Sequence, residues 1–134
     1  MLHYILFSII ATTALTMMNP QDSSRDTITP EEVQQLMEKD STVFLLDVRT
    51  DEEYDSSTGH LRGSVLIPVQ ELAARLGELV PYKKSTIVVI CRSGHRSGWA
   101  TSMLRSQGYS ALNMVGGMIR WNSEGRPVEH SEHP

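Results

Sequence analysis

The chain predicts an α/β fold, a mostly parallel sheet with helices on both faces. Two largely apolar runs, Val43 to Val48 with one acid near its end and Thr86 to Ile90, have the composition of central strands covered on both sides. Segments of helical spacing alternate with the strand-like runs, as crossover connections require. A leader of 21 residues would leave 113 of the 134 for folding, the size of one domain that needs no metal or disulfide staple.

The first 20 residues contain no Asp, Glu, Lys or Arg. Leu2 to Ala14 is apolar, with small or hydroxyl residues at Ala11, Thr12, Thr13 and Ala14 where a signal peptidase cuts. Residues 1–21 are therefore expected to form a secretory signal peptide or, if uncleaved, an N-terminal anchor. As a helix, Met1 to Met18 would measure about 27 Å, slightly short of a hydrocarbon core. Asp22, Arg25 and Asp26 follow without a basic cluster, so nothing retains the downstream side in the cytoplasm. A periplasmic or secreted location is expected, with membrane attachment only through a retained leader. Residues 22–134 form the expected domain.

Asn19 to Thr27 is polar and reads as a linker. Thr29-Pro30-Glu31-Glu32 opens a helix, with Thr29 as cap, Pro30 at the first position and Glu32 closing a capping box. Val33, Leu36 and Met37 form its buried stripe. The first strong strand, Val43 to Val48, follows. Thr50 and Glu53 repeat the capping-box spacing and open a short helix through Tyr54. Val65 to Ile67 is a short strand stopped by Pro68. Glu71 to Leu79 is expected as a helix with Leu72, Leu76 and Leu79 on one face, closed by Pro81. Thr86 to Ile90 is the second strong strand. Ser97 to Gln107 has helical spacing at Ala100, Met103 and Leu104, with Gly108 as its stop. Ala111 to Val115 is the last strand, followed by Gly116-Gly117 and a short segment to Trp121.

Composition narrows the function. A net charge of −4 and a pI near 5.7 argue against nucleic acid as a partner. One cysteine, Cys91, excludes an intramolecular disulfide. The five histidines (His3, His60, His95, His130 and His133) have no metal-ligand spacing, so neither metal nor cofactor is expected.

The chemistry concentrates at Cys91-Arg92-Ser93-Gly94-His95-Arg96-Ser97, between a strand and a helix. Ligands of parallel sheets bind beyond the carboxyl ends of the strands. A strand–turn–helix passage turns successive N–H groups into a concavity and adds the helix's positive end. Arg92, Arg96 and a protonated His95 strengthen that field. It favours thiolate over thiol and attracts an anionic substrate. The plainer alternative, a small buried hydrophobe at a strand end, has no use for two arginines and a glycine so close.

Leu46-Asp47-Val48-Arg49, Glu53-Tyr54, Gly59-His60-Leu61-Arg62-Gly63-Ser64, Ile67-Pro68, Cys91 to Ser97, Gly116-Gly117, Trp121 and Gly125-Arg126-Pro127-Val128 occur in the order found in rhodanese domains. The resemblance covers roughly residues 27 to 129. It implies a rhodanese-like fold with a central five-stranded parallel sheet, and a sulfurtransferase whose nucleophile is Cys91. With the leader, the chain resembles an exported single-domain rhodanese, a thiosulfate sulfurtransferase expected to act as a monomer.

The implied reaction has two steps. The Cys91 thiolate takes the outer sulfur of a small anionic donor such as thiosulfate, sulfite leaves, and a persulfide remains. Cyanide or a physiological thiol then accepts that sulfur. Arg92, Ser93, Gly94, His95 and Arg96 form the expected substrate-binding set, with Arg92 and Arg96 at the donor's anionic end. Asp47 and Arg49 read as a hydrogen-bonding pair that fixes the loop after their strand. His60 reads as structural, and Trp99 and Trp121 as rim or core aromatics.

Two departures from the family's commonest pattern stand out. Asp55 to Thr58 separate Tyr54 from Gly59 by two extra residues, predicting a wider loop, and Ser64 replaces Ala. Two other functions compete. A non-enzymatic sulfur-carrier or binding module would use the same fold, but binding modules usually lack the cysteine. A Cys-dependent phosphatase requires five residues between Cys and Arg, whereas four separate Cys91 from Arg96.

Overall fold

The computed structural model describes residues 24–39 and 42–132; the expected leader over residues 1–21 lies outside them. Five parallel strands form one sheet in the order β1-β5-β4-β2-β3, with β1 at Thr27–Ile28, β2 at Phe44–Asp47, β3 at Val65–Leu66, β4 at Thr86–Ile90 and β5 at Ser110–Met114. The helices are α1 (Pro30–Lys39), α2 (Asp51–Tyr54), α3 (Val69–Leu72), α4 (His95–Ser106) and α5 (Gly117–Ser123), with a 3₁₀ segment at Leu76–Tyr82. Among the described residues no helix is long and apolar enough to cross a membrane.

The alternation of side chains along each strand splits the core in two. Leu46, Ile87, Val89, Cys91 and Ala111 face α4, Leu72 and Leu79. Leu45, Val88, Ile90, Leu112 and Met114 face Val33 of α1 and Met118 and Trp121 of α5. Leu45 and Leu46 of β2 and Ile87 to Ile90 of β4 are therefore apolar on both sides, because each face has its own helical cover. Helix α1 starts as its capping box requires: Glu32 N–H donates to Thr29 Oγ1 (3.2 Å), and Thr29 N–H donates to Glu32 Oε2 (2.9 Å).

Three local expectations are corrected. The linker reading of Asn19 to Thr27 ends too late, because Thr27 pairs with Asn113 and Ile28 with Met114 as edge strand β1. Two residues are too few to display an alternation, yet Ile28 is fully buried. The helix expected over Glu71 to Leu79 is broken into α3 and the 3₁₀ segment, with Pro81 inside the latter. Gly77 weakens a helix interior, and Pro81 has no N–H to return to it. Leu72 and Leu79 nevertheless stay buried. Helix α4 begins at His95, two residues before expected, because Gly94 adopts φ +105° and caps it.

Candidate active site

Cys91 directly follows β4, at the carboxyl end of the sheet, and is 1% exposed. It faces the same side as Ile87 and Val89, under the first turn of α4. Gly94 N–H donates to its Sγ at 3.0 Å, and the Ser97 hydroxyl lies 3.1 Å from the same sulfur. The left-handed backbone at Gly94 turns the chain back over the thiol; a residue with a Cβ adopts it only under strain.

The loop's carbonyls point the other way. Met118 N–H donates to Cys91 O (2.9 Å) and Ile119 N–H to Arg92 O (3.0 Å), so the start of α5 satisfies the outward-facing oxygens. Such an approach requires glycine: a Cβ on Gly117 would lie 2.4 Å from Arg92 O and 2.5 Å from Cys91 O, at φ +56°. With carbonyls held on α5, amides are left to face the sulfur. Burial pushes the Cys91 thiol up, but the Ser97 hydroxyl and the N–H groups of Ser97, Gly94 and Ser93 outweigh it. The net shift is downward. The arrangement holds a sulfur anion out of water with donors already in place.

Of the residues expected to bind substrate, Arg92, Ser93 and His95 are exposed at the loop surface. The Arg92 guanidinium makes no hydrogen bond to any described residue. Arg96 is committed differently: Nη1 lies 3.0 Å from Glu53 Oε1 and Nη2 2.7 Å from Glu53 Oε2. This pairing raises the Arg96 pKa, against the opposing effect of burial.

Asp47 and Arg49 form a buried ion pair, 0% and 1% exposed. Arg49 Nε donates to Asp47 Oδ1 (3.0 Å) and lies 3.1 Å from Oδ2, while Nη2 donates to Asp47 Oδ2 (2.8 Å) and Gly59 O (2.8 Å). Nη1 donates to Glu53 O (3.2 Å) and Thr58 Oγ1 (3.0 Å). Each of the guanidinium's N–H groups thus has an acceptor, as a buried arginine requires. The two extra residues before Gly59 belong to this clamp, since Ser56 Oγ also meets Thr58 Oγ1 at 2.8 Å. His60 stacks on Tyr54 at 3.8 Å between ring centroids, with Nδ1 3.1 Å from Tyr54 O. Trp121 is buried and donates Nε1–H to Pro127 O (2.9 Å), whereas Trp99 is exposed.

Three contributors escape a reading of the sequence alone: the Ser97 hydroxyl, the Glu53 carboxylate and Asn113. Ser97 Oγ lies 2.6 Å from Asn113 Oδ1, and Asn113 Nδ2–H donates to Gly94 O at 3.1 Å. One signal for Asn113 was present, an amide within the apolar strand Ala111-Leu112-Asn113-Met114 on the side that Ala111 shares with Cys91.

A rhodanese-like domain family model matches residues 29–124. YrkF of Bacillus subtilis (strain 168) is 36% identical over 103 residues, which cover 76% of this chain and 54% of that protein, so this chain spans about half its length. Thiosulfate sulfurtransferase PspE of Escherichia coli (strain K12) is 36% identical over 73 residues, 54% of this chain and 68% of that protein. The crystal structure of a rhodanese-like domain protein from Staphylococcus aureus superposes with a TM-score of 0.67 at 30% identity, covering 78% of this chain and 98% of that one. With its five-stranded parallel sheet and its cysteine loop beyond β4, the chain belongs to the rhodanese-like family of sulfurtransferases and sulfur carriers.

Proposed function

We propose that this protein moves a sulfane sulfur from thiosulfate or a similar small anionic donor to a thiol, through a persulfide on Cys91. Cyanide replaces the thiol as acceptor in vitro. The observation that carries the reading is the Cys91 sulfur itself, facing Gly94 N–H and the Ser97 hydroxyl at 3.0 and 3.1 Å with its pKa lowered.

In the first step a Cys91 lone pair attacks the outer sulfur of thiosulfate. The Sγ–S bond forms, the S–S bond of the donor breaks, and its electron pair leaves on sulfite. Charge balances, because thiolate plus thiosulfate dianion becomes persulfide anion plus sulfite dianion. In the second step the acceptor attacks the outer persulfide sulfur and Cys91 departs as thiolate. The fixed donors of the loop stabilise the anionic sulfur without reorganising when the charge moves. Arg92, exposed and unpaired among the described residues, is the first contact for the donor's sulfonate end, with Ser93, His95 and the field of Arg96 behind it. The Glu53–Arg96 pair also disfavours phosphatase chemistry, since the arginine that would grip phosphate is already engaged by a carboxylate.

Export also belongs to this proposal; its support is the apolar stretch at the start of residues 1–21, which hold no Asp, Glu, Lys or Arg. Intact-mass analysis after thiosulfate treatment tests the reaction. One added sulfur, removed by dithiothreitol and absent in Cys91→Ser, is the expected result. An unchanged mass in freshly reduced protein overturns it.

A further inference from the structure

Ser97 Oγ carries one hydrogen and faces two acceptors. Asn113 Oδ1 lies 2.6 Å away and Cys91 Sγ 3.1 Å away. The orientation of the Asn113 amide follows from its other end: Nδ2–H donates to Gly94 O at 3.1 Å, and a flipped amide would set two oxygens against each other there. Oδ1 therefore faces Ser97, and at 2.6 Å two oxygens need a proton between them.

The two possible places for that proton suit different states of Cys91. While the proton lies toward Asn113, Ser97 Oγ turns a lone pair to the sulfur. That arrangement accepts a hydrogen bond from a thiol S–H but opposes a bare thiolate. When the hydroxyl turns to Sγ it stabilises the thiolate, and Asn113 Oδ1 loses its donor. In a persulfide the negative charge resides on the outer sulfur, so Sγ no longer needs the hydroxyl and the proton is free to return to Asn113.

We propose that Asn113 is a positioning residue that sets the place of the Ser97 proton, and so supports the thiol and persulfide states of Cys91 against the thiolate. The part concerning the persulfide rests on the sulfur-transfer reading above; the part concerning the thiol does not. The charged groups around the loop are Arg92, His95 and Arg96, Glu53 from α2, Asp47 at the end of β2 with Arg49 just after it, and Arg120 from α5. Among the described residues, none is hydrogen-bonded to Ser97 or Asn113. Gly94 O would keep a partner without Asn113, because Gly98 N–H also donates to it (3.0 Å).

The test is a thiolate titration by ultraviolet absorbance, with Cys91→Ser as blank. Cys91 is the chain's single thiol, so the signal belongs to it alone. Asn113→Ala is expected to lower the Cys91 pKa, raising the thiolate fraction below that pKa by about fivefold, the net worth of one hydrogen bond. Asn113→Asp, which keeps an acceptor and adds charge, moves it the opposite way. Ser97→Ala raises the pKa and abolishes the effect of Asn113→Ala in the double variant. An unchanged or raised pKa in Asn113→Ala, or a lowered one that persists without Ser97, overturns the proposal.

A second arm measures the ratio of loaded to free protein by intact mass, at fixed thiosulfate and sulfite and at a pH above the Cys91 pKa, where the free protein is thiolate. Asn113→Ala should reduce that ratio about fivefold; an unchanged ratio beside a lowered pKa refutes the support of the persulfide state. A wild-type protein that never loads refutes sulfur transfer instead, while the titration still decides the thiol part.

Discussion

Glu53 and Arg96 meet fork to fork, with Oε1 3.0 Å from Nη1 and Oε2 2.7 Å from Nη2, and so join α2 to the first turn of α4 beside Cys91. The pair occupies the cation that an anionic donor would otherwise approach. Glu53→Gln should lower KM for thiosulfate while leaving kcat nearly unchanged, because the freed guanidinium adds uniform binding. The stability cost should stay below about 1 kcal/mol, since both side chains are about a third exposed and the pair is screened. Steady-state kinetics decide it, and an unchanged or higher KM removes Glu53 from donor selection.

Gly117→Ala should cost at least about 2 kcal/mol and reduce turnover together with stability. Its Cβ would press on Arg92 O and Cys91 O at a positive φ, straining the backbone and displacing the loop carbonyls. Gly63, also at positive φ, has open space around it and is the matched comparison. Urea midpoints and turnover for both alanine variants check this; equal effects would mean that the α5 contact does not hold the loop.

Asp47→Asn should be strongly destabilising, by about 3–5 kcal/mol, because it leaves the Arg49 charge buried without its counterion. Thiosulfate turnover per folded molecule should change much less, since neither residue contacts the sulfur. Chemical denaturation with activity normalised to folded protein separates the two quantities. A variant as stable as wild type would contradict the clamp.

The acid limb of persulfide formation should lie below the ordinary thiol range, because the Cys91 pKa is lowered in the fold. The same shift links to stability. The thiolate's contribution is fully present above the unfolded-state thiol pKa and is lost as pH falls through the lower folded value. Cys91→Ser should therefore fold, lose all transfer, and flatten this part of the stability–pH curve. Burst kinetics and urea midpoints across pH provide the comparison; an acid limb at or above the free-thiol value would refute the assignment.

The fold was legible wherever burial writes itself along several residues. Val43 to Val48 and Thr86 to Ile90 announce central strands because their apolar positions pack alternately into the two core layers. Thr27–Ile28 gave no such signal, since an edge strand of two residues has no period. The break after Leu72 was hidden because Leu72, Leu76 and Leu79 keep one apolar side whether the backbone is α-helical or 3₁₀. Cys91 itself was conspicuous through Gly94 and the basic residues around it. Glu53 was legible as half of a capping box and as part of the Glu53-Tyr54 match, but not as a partner of Arg96: Thr50 Oγ1 accepts its N–H at 3.2 Å, while its carboxylate reaches 43 residues along the chain to Arg96. Asn113 matters through contacts 16 and 19 residues away, which no local spacing encodes.

The division of β4 between two helical layers has a consequence for how this site tolerates change. Ile90 and Cys91 look in opposite directions, so inserting or deleting one residue within Thr86–Ile90 would deliver the sulfur among Trp121 and Met118 instead of beneath α4. The strand acts as a ruler with a one-residue tolerance of zero, and the loop after it is held to length as well, because the donors to the sulfur sit at Gly94 and Ser97.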